Sequence, residues 1–364
     1  MSVSAEQERE PVPGARPMRV AMYYSIQDIR IEEMPVPRIG PGEMLVRVRA
    51  SGICGSDVME WYRARAAPLV LGHEIAGEVA EIGEGVTRFR VGDRVFVTHH
   101  VPCGECRYCR QGHSSVCETL RRTHFHPGGF AEYVRVPQIN VELGTLPLPD
   151  ELSFDEGSFI EPLACVVRGQ RMARLQGGQS VLVIGSGAAG LLHIQLARAL
   201  GASRVVASDI NESRLRAARA LGADAVLPAG DLAQGLPAVN EGRLADLVVV
   251  CTAAAPALRQ ALRCVDRGGT VLFFAPTPEG VEVPVPLFEL WRDEVTLATS
   301  YAAGPQDIAE AIELLRSRRV RVAEMITHRL SLAEAGRGFE LVASGRESIK
   351  VIIDPTRTNG PGRD

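Results

Sequence analysis

Val181-Leu182-Val183-Ile184-Gly185-Ser186-Gly187-Ala188-Ala189-Gly190 sets the architecture of this chain. Four apolar residues, three of them β-branched, read as a strand buried on both faces. They run into glycines spaced G-x-G-x-x-G, and residues 188–200 beyond carry helical periodicity. In a strand–turn–helix, Gly185 permits the tight turn, Gly187 lets a pyrophosphate approach the backbone, and Gly190 lets helix pack on strand. The helix N-terminus then offers its free N–H groups to the phosphate charge. A second strand, 204–208, leads to Asp209, nineteen residues after Gly190. A carboxylate there accepts hydrogen bonds from ribose hydroxyls and repels a 2′-phosphate, which favours NAD over NADP. Arg214 lies within reach of the same region and keeps NADP as an alternative.

The alternation continues downstream, with a helix at 212–221 and strands at 245–251 and 270–274. Strands alternating with helices predict βαβ units and a parallel sheet. Upstream, from 19 to 142, the style is different. Short β-rich segments at 44–48, 75–82, 94–97 and 131–136 are bounded by turns such as Gly40-Pro41-Gly42 and Gly92-Asp93. After 300, a helix at 305–317 and a strand at 349–353 close the chain. The 364 residues exceed one typical domain. The α/β layout expected is a β-rich catalytic domain over 1–157 with a loose tail at 1–17. A doubly wound NAD-binding domain follows over 158–300, and 301–364 returns to the first domain.

Composition excludes some functions. The net charge of −4 gives no electrostatic reason for a nucleic-acid or anionic-membrane partner. No apolar run reaches the roughly 18 residues of a membrane span. The polar, proline-bearing N-terminus lacks the apolar core of a targeting signal, so the cytoplasm is the expected location. Lys350 is the single lysine, which rules out chemistry needing a lysine in the middle of the chain. Eight cysteines in a reducing compartment read as metal ligands or buried residues rather than disulfides.

Cys103, Cys106, Cys109 and Cys117 are spaced C-x2-C-x2-C-x7-C. Four thiolates this close wrap one tetrahedral zinc ion, leaving no open position for substrate. The site reads as structural, stiffening a lobe at 101–118. A nucleic-acid-binding knuckle would need a basic, aromatic surface that Arg107, Arg110, Arg121 and Arg122 do not make. An iron–sulfur cluster is the other four-thiolate alternative.

Cys54-Gly55-Ser56-Asp57 and Gly72-His73-Glu74 carry the remaining chemistry. A catalytic zinc needs about three protein ligands and an exchangeable position. Cys54 and His73 offer a thiolate and an imidazole, and Glu74 or Glu161 adds a carboxylate. A histidine beside a glutamate is by itself more often a satisfied polar pair. The set, in this order, reads as a metal centre.

Gly72-His73-Glu74-x-x-Gly77-x5-Gly83-x-x-Val86 resembles the zinc signature of the medium-chain alcohol dehydrogenases. Cys54, the four-cysteine lobe and the glycine turn follow in that family's order, from Met18 to the last strand. Cys54-Gly55-Ser56-Asp57-Val58 and Ile160-Glu161-Pro162-Leu163 are similar to the sorbitol and threonine dehydrogenase branch. The resemblance implies a GroES-like catalytic domain beside a Rossmann-type one, one catalytic and one structural zinc per chain, and a homotetramer or homodimer. It makes Cys54, His73 and Glu74 the catalytic zinc set, with Glu161 a further ligand or the holder of a bound water. Ser56 would begin the proton relay, and the four lobe cysteines would hold the structural zinc. Asp57 would fix the second ring nitrogen of His73 or cap a local turn. The implied reaction passes a hydride from a secondary alcohol to NAD and releases a ketone.

Several positions depart from that branch. Met59 stands where polyol enzymes carry a histidine, Glu60 replaces an aromatic, the segment from Cys54 to His73 is short, and Ser300 replaces an arginine before Tyr301. These are pocket positions, so they leave open which polyol, cyclitol or sugar is oxidised. Trp61, His124, Phe125 and His126 are further pocket candidates, the two histidines competing with a reading as solvated loop residues. Threonine-type amino-alcohol oxidation is the rival substrate class. A zinc-free reductase would lack the Cys54, His73 and Glu74 set. A zinc-stabilised binding protein would hold one zinc and form no NADH.

Overall fold

The computed structural model describes residues 16–357, so the tail expected at 1–17 lies outside them apart from Arg16 and Pro17. The described residues divide into two compact units, one formed by those up to 161 and from 326 onward and the other by 162–325.

The second unit is a six-stranded, all-parallel sheet in the order Ala225–Pro228, Arg204–Asp209, Ser180–Ile184, Ala245–Val250, Val265–Phe273, Thr296–Thr299. In chain order this is 3-2-1-4-5-6, the doubly wound arrangement whose strand order reverses beside the first strand. Every residue of Ser180–Ile184 is buried, as a central parallel strand covered on both faces requires. Its polar start is satisfied: Ser180 donates through both N and Oγ to Asp246 Oδ2, at 2.7 and 2.8 Å. Leu182, Ile184, Val206, Val248 and Val250 pack one core on this sheet.

The helix Pro305–Arg316 belongs to this unit, although the sequence alone places it in the C-terminal return. Asp307 is the reason. It is fully buried, accepts from Arg171 Nη2 at 2.6 Å, lies 3.8 Å from Arg168 Nη1, and caps Gly304 N at 2.8 Å. Both arginines sit on the helix Ile160–Met172, so the ion pairs clamp one helix to the other.

The first unit is β-rich. A seven-stranded sheet runs Ile326–Ser331, Lys350–Asp354, Met44–Gly52, Glu74–Ile82, Arg94–Thr98, Thr145–Pro147, with Tyr133–Val136 also paired to Met44–Gly52. A smaller sheet joins Asp28–Pro35, Pro17–Ser25 and Leu69–Val70. The C-terminal strand is threaded into the larger sheet, with Ile352 opposite Gly52 and Ile353 opposite Ser51. Next to it, Gly52 faces Glu74, and Glu74 faces Thr98. That row carries the candidate site at its end.

Replacing Asp307 by alanine would remove the buried carboxylate that Arg168 and Arg171 share, and breaking a buried pair costs about 3–5 kcal/mol. Denaturant unfolding of Asp307→Ala should show a loss of that size, and a change under 1 kcal/mol would mean the clamp is ornamental.

Candidate active site

The strand row places three groups together. Cys54 lies two residues past the end of Met44–Gly52, His73 immediately precedes Glu74–Ile82, and Glu74 opens it. Ligand atoms of Cys54, His73 and Glu74 lie within 4.8 Å of one another. The Glu161 carboxylate does not join that group, but its charge reaches Lys350. Close packing of the row depends on glycine: a Cβ on Gly77 would lie 2.2 Å from Arg47 O.

Each member of the trio is held from behind. Asp57 is fully buried and does two jobs: Oδ2 caps Cys54 N at 3.0 Å, and Oδ1 lies 3.4 Å from His73 Nδ1. A ring nitrogen fixed by a carboxylate leaves Nε2 for a metal, the usual arrangement of a ligating histidine. Burial opposes charge on His73, yet Asp57 and Cys54 outweigh it and hold its pKa well above the ordinary value. A bound cation would displace that proton.

Lys350 was missed in the sequence because it is distant in the chain. The lone lysine comes from the C-terminal strand, donates to Ile53 O at 3.3 Å and ion-pairs with Glu74 Oε2. Burial works against its charge, but Glu74 and Cys54 raise its pKa. Gly52 makes the room, since a Cβ there would lie 2.1 Å from Glu74 Oε2 and 2.7 Å from Lys350 Cε. Glu74 Oε1 is left buried with no hydrogen-bond partner. An orphaned carboxylate oxygen beside a thiol and an imidazole fits a metal ion, the natural partner for all three.

Arg63 was also missed. It donates from Nη2 to Ser56 Oγ at 3.0 Å and to Asp57 Oδ1 at 3.2 Å, and from Nε to Ser56 O at 3.1 Å. Two buried carboxylates are thus each matched by a cation, Asp57 by Arg63 and Glu74 by Lys350. His99 and His100 are the third omission. His99 stands across the sheet from His73, with ring centroids 4.9 Å apart. Burial first, then the neighbouring histidines, pushes the His99 pKa well below its usual value, and that of His100 down to about 3. Of the pocket candidates, Phe125 is buried in the core and meets His99 edge-on at 6.4 Å. His124 and Trp61 are exposed.

The four lobe cysteines also converge within 4.8 Å. Sγ–Sγ separations are 3.5 Å for Cys106–Cys109, 3.6 Å for Cys103–Cys117 and 4.0 Å for Cys103–Cys109. Zinc–sulfur bonds of about 2.3 Å give a tetrahedral edge of about 3.8 Å, so these spacings fit one zinc. Burial pushes the Cys117 thiol up, but the N–H groups of Cys103 and Leu120 pull it down to about 6. All eight cysteines are free of disulfides.

In the second unit the glycine turn has the form its sequence requires. Gly185 has φ +95°, and a Cβ on Gly190 would lie 1.9 Å from Gly185 O. The helix Ala188–Ala199 begins at Gly187 with no side-chain cap, leaving its first N–H groups for an anion. Asp209 ends its strand with Oδ2 accepting from Ser186 N at 2.7 Å and Oδ1 from Asn211 N at 2.8 Å. Arg214 Nη1 comes within 3.8 Å of where a Gly187 Cβ would be, and its Nε is buried without a partner.

Together these are the parts of a zinc- and nicotinamide-dependent dehydrogenase. Residues 40–150 match the alcohol dehydrogenase GroES-like domain, and 188–317 match the zinc-binding dehydrogenase domain. An L-threonine 3-dehydrogenase of Rhizobium johnstonii is 34% identical over 349 residues, covering 89% of this chain and 94% of the relative. A sorbitol dehydrogenase of Bacillus subtilis is 31% identical, covering 93% and 98%. A Sinorhizobium meliloti structure described as a zinc-binding dehydrogenase, bound to NADP, has a TM-score of 0.84 at 30% identity and covers 93% and 100%. The chain belongs to the zinc-dependent medium-chain alcohol dehydrogenase family, is an oxidoreductase, and has zinc and a nicotinamide dinucleotide as cofactors.

Removing the charge at Lys350 while keeping bulk tests the buried pair. Lys350→Met should destabilise the first unit by about 3–5 kcal/mol, because Glu74 would be buried without its cation. Thermal and denaturant melts of wild type and variant, compared with and without bound zinc, check this; wild-type stability of the zinc-free variant would show that Glu74 is charge-balanced elsewhere.

Proposed function

We propose that this chain oxidises a secondary alcohol, of polyol, cyclitol or sugar-like class, to a ketone with NAD as hydride acceptor. The observation that carries the reading is the convergence of the Cys54 thiol, the Asp57-backed His73 imidazole and the partnerless Glu74 Oε1. These three would hold the catalytic zinc, with Glu161 as a further ligand or the holder of a bound water. Cys103, Cys106, Cys109 and Cys117 would hold the structural one. When bound, the catalytic zinc would supply a Lewis acid that makes the substrate hydroxyl more acidic.

The chain's own residues then manage a proton and a hydride. Ser56 Oγ accepts from Arg63, so it has a lone pair left to take the proton from the alcohol oxygen and its own proton to pass on. The guanidinium disfavours positive charge on the serine, so a proton taken up there must be passed on, which suits a relay more than a terminal base. When bound, the nicotinamide would supply the acceptor for the hydride on the carbinol carbon, whose bond to oxygen becomes a carbonyl once the hydroxyl proton is also lost. Gly185, Gly187 and Gly190 with the open helix N-terminus would take the pyrophosphate, and Asp209 the adenosine ribose.

Two further readings have specific support. Arg214 over the glycine turn, and NADP in the Sinorhizobium relative, support NADP use. The threonine dehydrogenase relatives support amino-alcohol oxidation. Free cysteines support a reducing compartment, the cytoplasm. Among the described residues, no helix is long and apolar enough to cross a membrane. For assembly, the edge strand Thr296–Thr299 pairs on one side only, next to the exposed apolar Leu287, Phe288 and Trp291. An unpaired edge beside such a patch is a pairing surface, which supports the homodimer or homotetramer.

The decisive assay is NADH formation by zinc-replete protein with sorbitol, xylitol, inositols, L-threonine, 2,3-butanediol and 2-alkanols, with NADP run in parallel and Cys54→Ala as control. Turnover of a polyol class with two zincs per chain, lost in the control, is expected. Preference for L-threonine would move the assignment to the rival class, and one zinc with no NADH would point to a binding protein. Light scattering should find at least a dimer in the wild type and a smaller species in Trp291→Glu; a monomeric wild type would remove the assembly proposal.

A further inference from the structure

Four histidines run in file from the candidate metal centre outward. His73 meets His99 with ring centroids 4.9 Å apart, His99 meets His100 at 3.7 Å, and His100 meets His124 at 5.2 Å. The first three are half-buried and His124 is exposed, so the file leads from the interior to the surface. Its placement follows from strand register. Glu74 pairs with Thr98, so the residues before the one and after the other, His73 and His99, fall opposite each other.

The backbone carrying the rings is tied down. Asn140 Nδ2 donates to Thr98 O at 2.9 Å and to His99 O at 3.2 Å, and Val101 N donates to Thr123 Oγ1 at 2.8 Å. The His100 ring is hydrogen-bonded to the backbone of Leu120 and Thr123, yet His99 Nδ1 and His100 Nδ1 are both buried without a hydrogen-bond partner. Two adjacent orphaned imidazole nitrogens are unusual in a folded protein and call for a ligand or an ordered solvent partner.

That partner is not a metal. Among the described residues, the clusters whose ligand atoms converge are the lobe cysteines and the trio of Cys54, His73 and Glu74, and neither includes His99, His100 or His124. It is not a carboxylate either, because Arg63, the cation that binds Ser56 beside the trio, is already committed to Asp57 and Ser56. A hydroxyl group suits the site. An imidazole offers one donor and one acceptor, and a hydroxyl is both.

We infer that His99 and His100, extended by His124, form a hydroxyl-reading wall that takes the hydroxyls flanking the carbinol under oxidation. This rests on the alcohol-oxidation reading and narrows it to substrates with several neighbouring hydroxyls, against monohydric alcohols. His73 belongs to the metal centre and His99 touches it, so His100 is the member whose role separates most cleanly from metal binding. Hydrogen bonds to flanking hydroxyls discriminate strongly, because an analogue lacking them leaves the buried nitrogens unpaired.

Binding is tested first without turnover. Zinc-loaded full chain labelled with 15N-histidine, with NADH bound, is titrated with xylitol and with 2-butanol, and ring signals are assigned with His99→Asn and His100→Asn. Xylitol should shift the His99 and His100 ring nitrogens, and 2-butanol should not. Equal shifts with both alcohols, or none at either ring with xylitol, overturn the inference. Steady-state rates give the second reading: the ratio of kcat/KM for xylitol over 2-butanol should fall at least fivefold in His100→Leu and recover in part in His100→Asn. A smaller fall overturns it. Wild-type protein that turns over no alcohol would instead sink the oxidation reading, and the ring shifts would still report on the wall.

Discussion

One row of residues across the β-rich unit, Ile352–Gly52–Glu74–Thr98, determines where everything else in the candidate metal centre lies. Because the flanking strands are antiparallel to Glu74–Ile82, the chain just beyond the row at Cys54, His73 and His99 emerges on the same edge. A one-residue slip of any strand would turn its side chains to the opposite face and scatter the set. Glycines protect the register. Gly77 lies against Arg47 O, and Gly52 leaves the volume filled by the Glu74–Lys350 pair.

Charge is managed there in the same spirit. Burying a carboxylate is costly unless it is paired and hydrogen-bonded. Asp57 is paired with Arg63, bonded by Cys54 N and set against His73, while Glu74 is paired with Lys350 and keeps one oxygen unpartnered. The satisfied carboxylate faces the His73 imidazole, and the half-satisfied one keeps an oxygen open beside a thiol and an imidazole.

The nucleotide-binding unit rests on a different constraint, the close approach of helix and strand at Gly190. Its missing side chain lets the helix N-terminus stand directly over the turn, where unpaired N–H groups concentrate positive potential. Asp209 is held by Ser186 N and Asn211 N, so this carboxylate is built into the glycine turn itself.

Local chemistry was legible in the sequence. The strands at 180–184, 204–209 and 245–250 and the helix at 188–199 fell within a residue or two of expectation, because buried runs and glycine turns are local signals. The cysteine lobe and the Cys54, His73 and Glu74 motifs were legible because their spacing is short or characteristic. What the sequence did not show is every relation that crosses the chain. Lys350 reaches Glu74 from 276 residues away. His99 meets His73 through strand register, Arg63 binds Ser56 across a helical turn of no distinctive pattern, and the helix at 305–316 is claimed by a buried Asp307. The sequence by itself determined the chemical inventory and the two kinds of fold, since composition and periodicity act over a few residues. Only the tertiary structure decided which charges face each other and which nitrogens are left without partners, because pairing and burial depend on register between strands that the chain visits far apart.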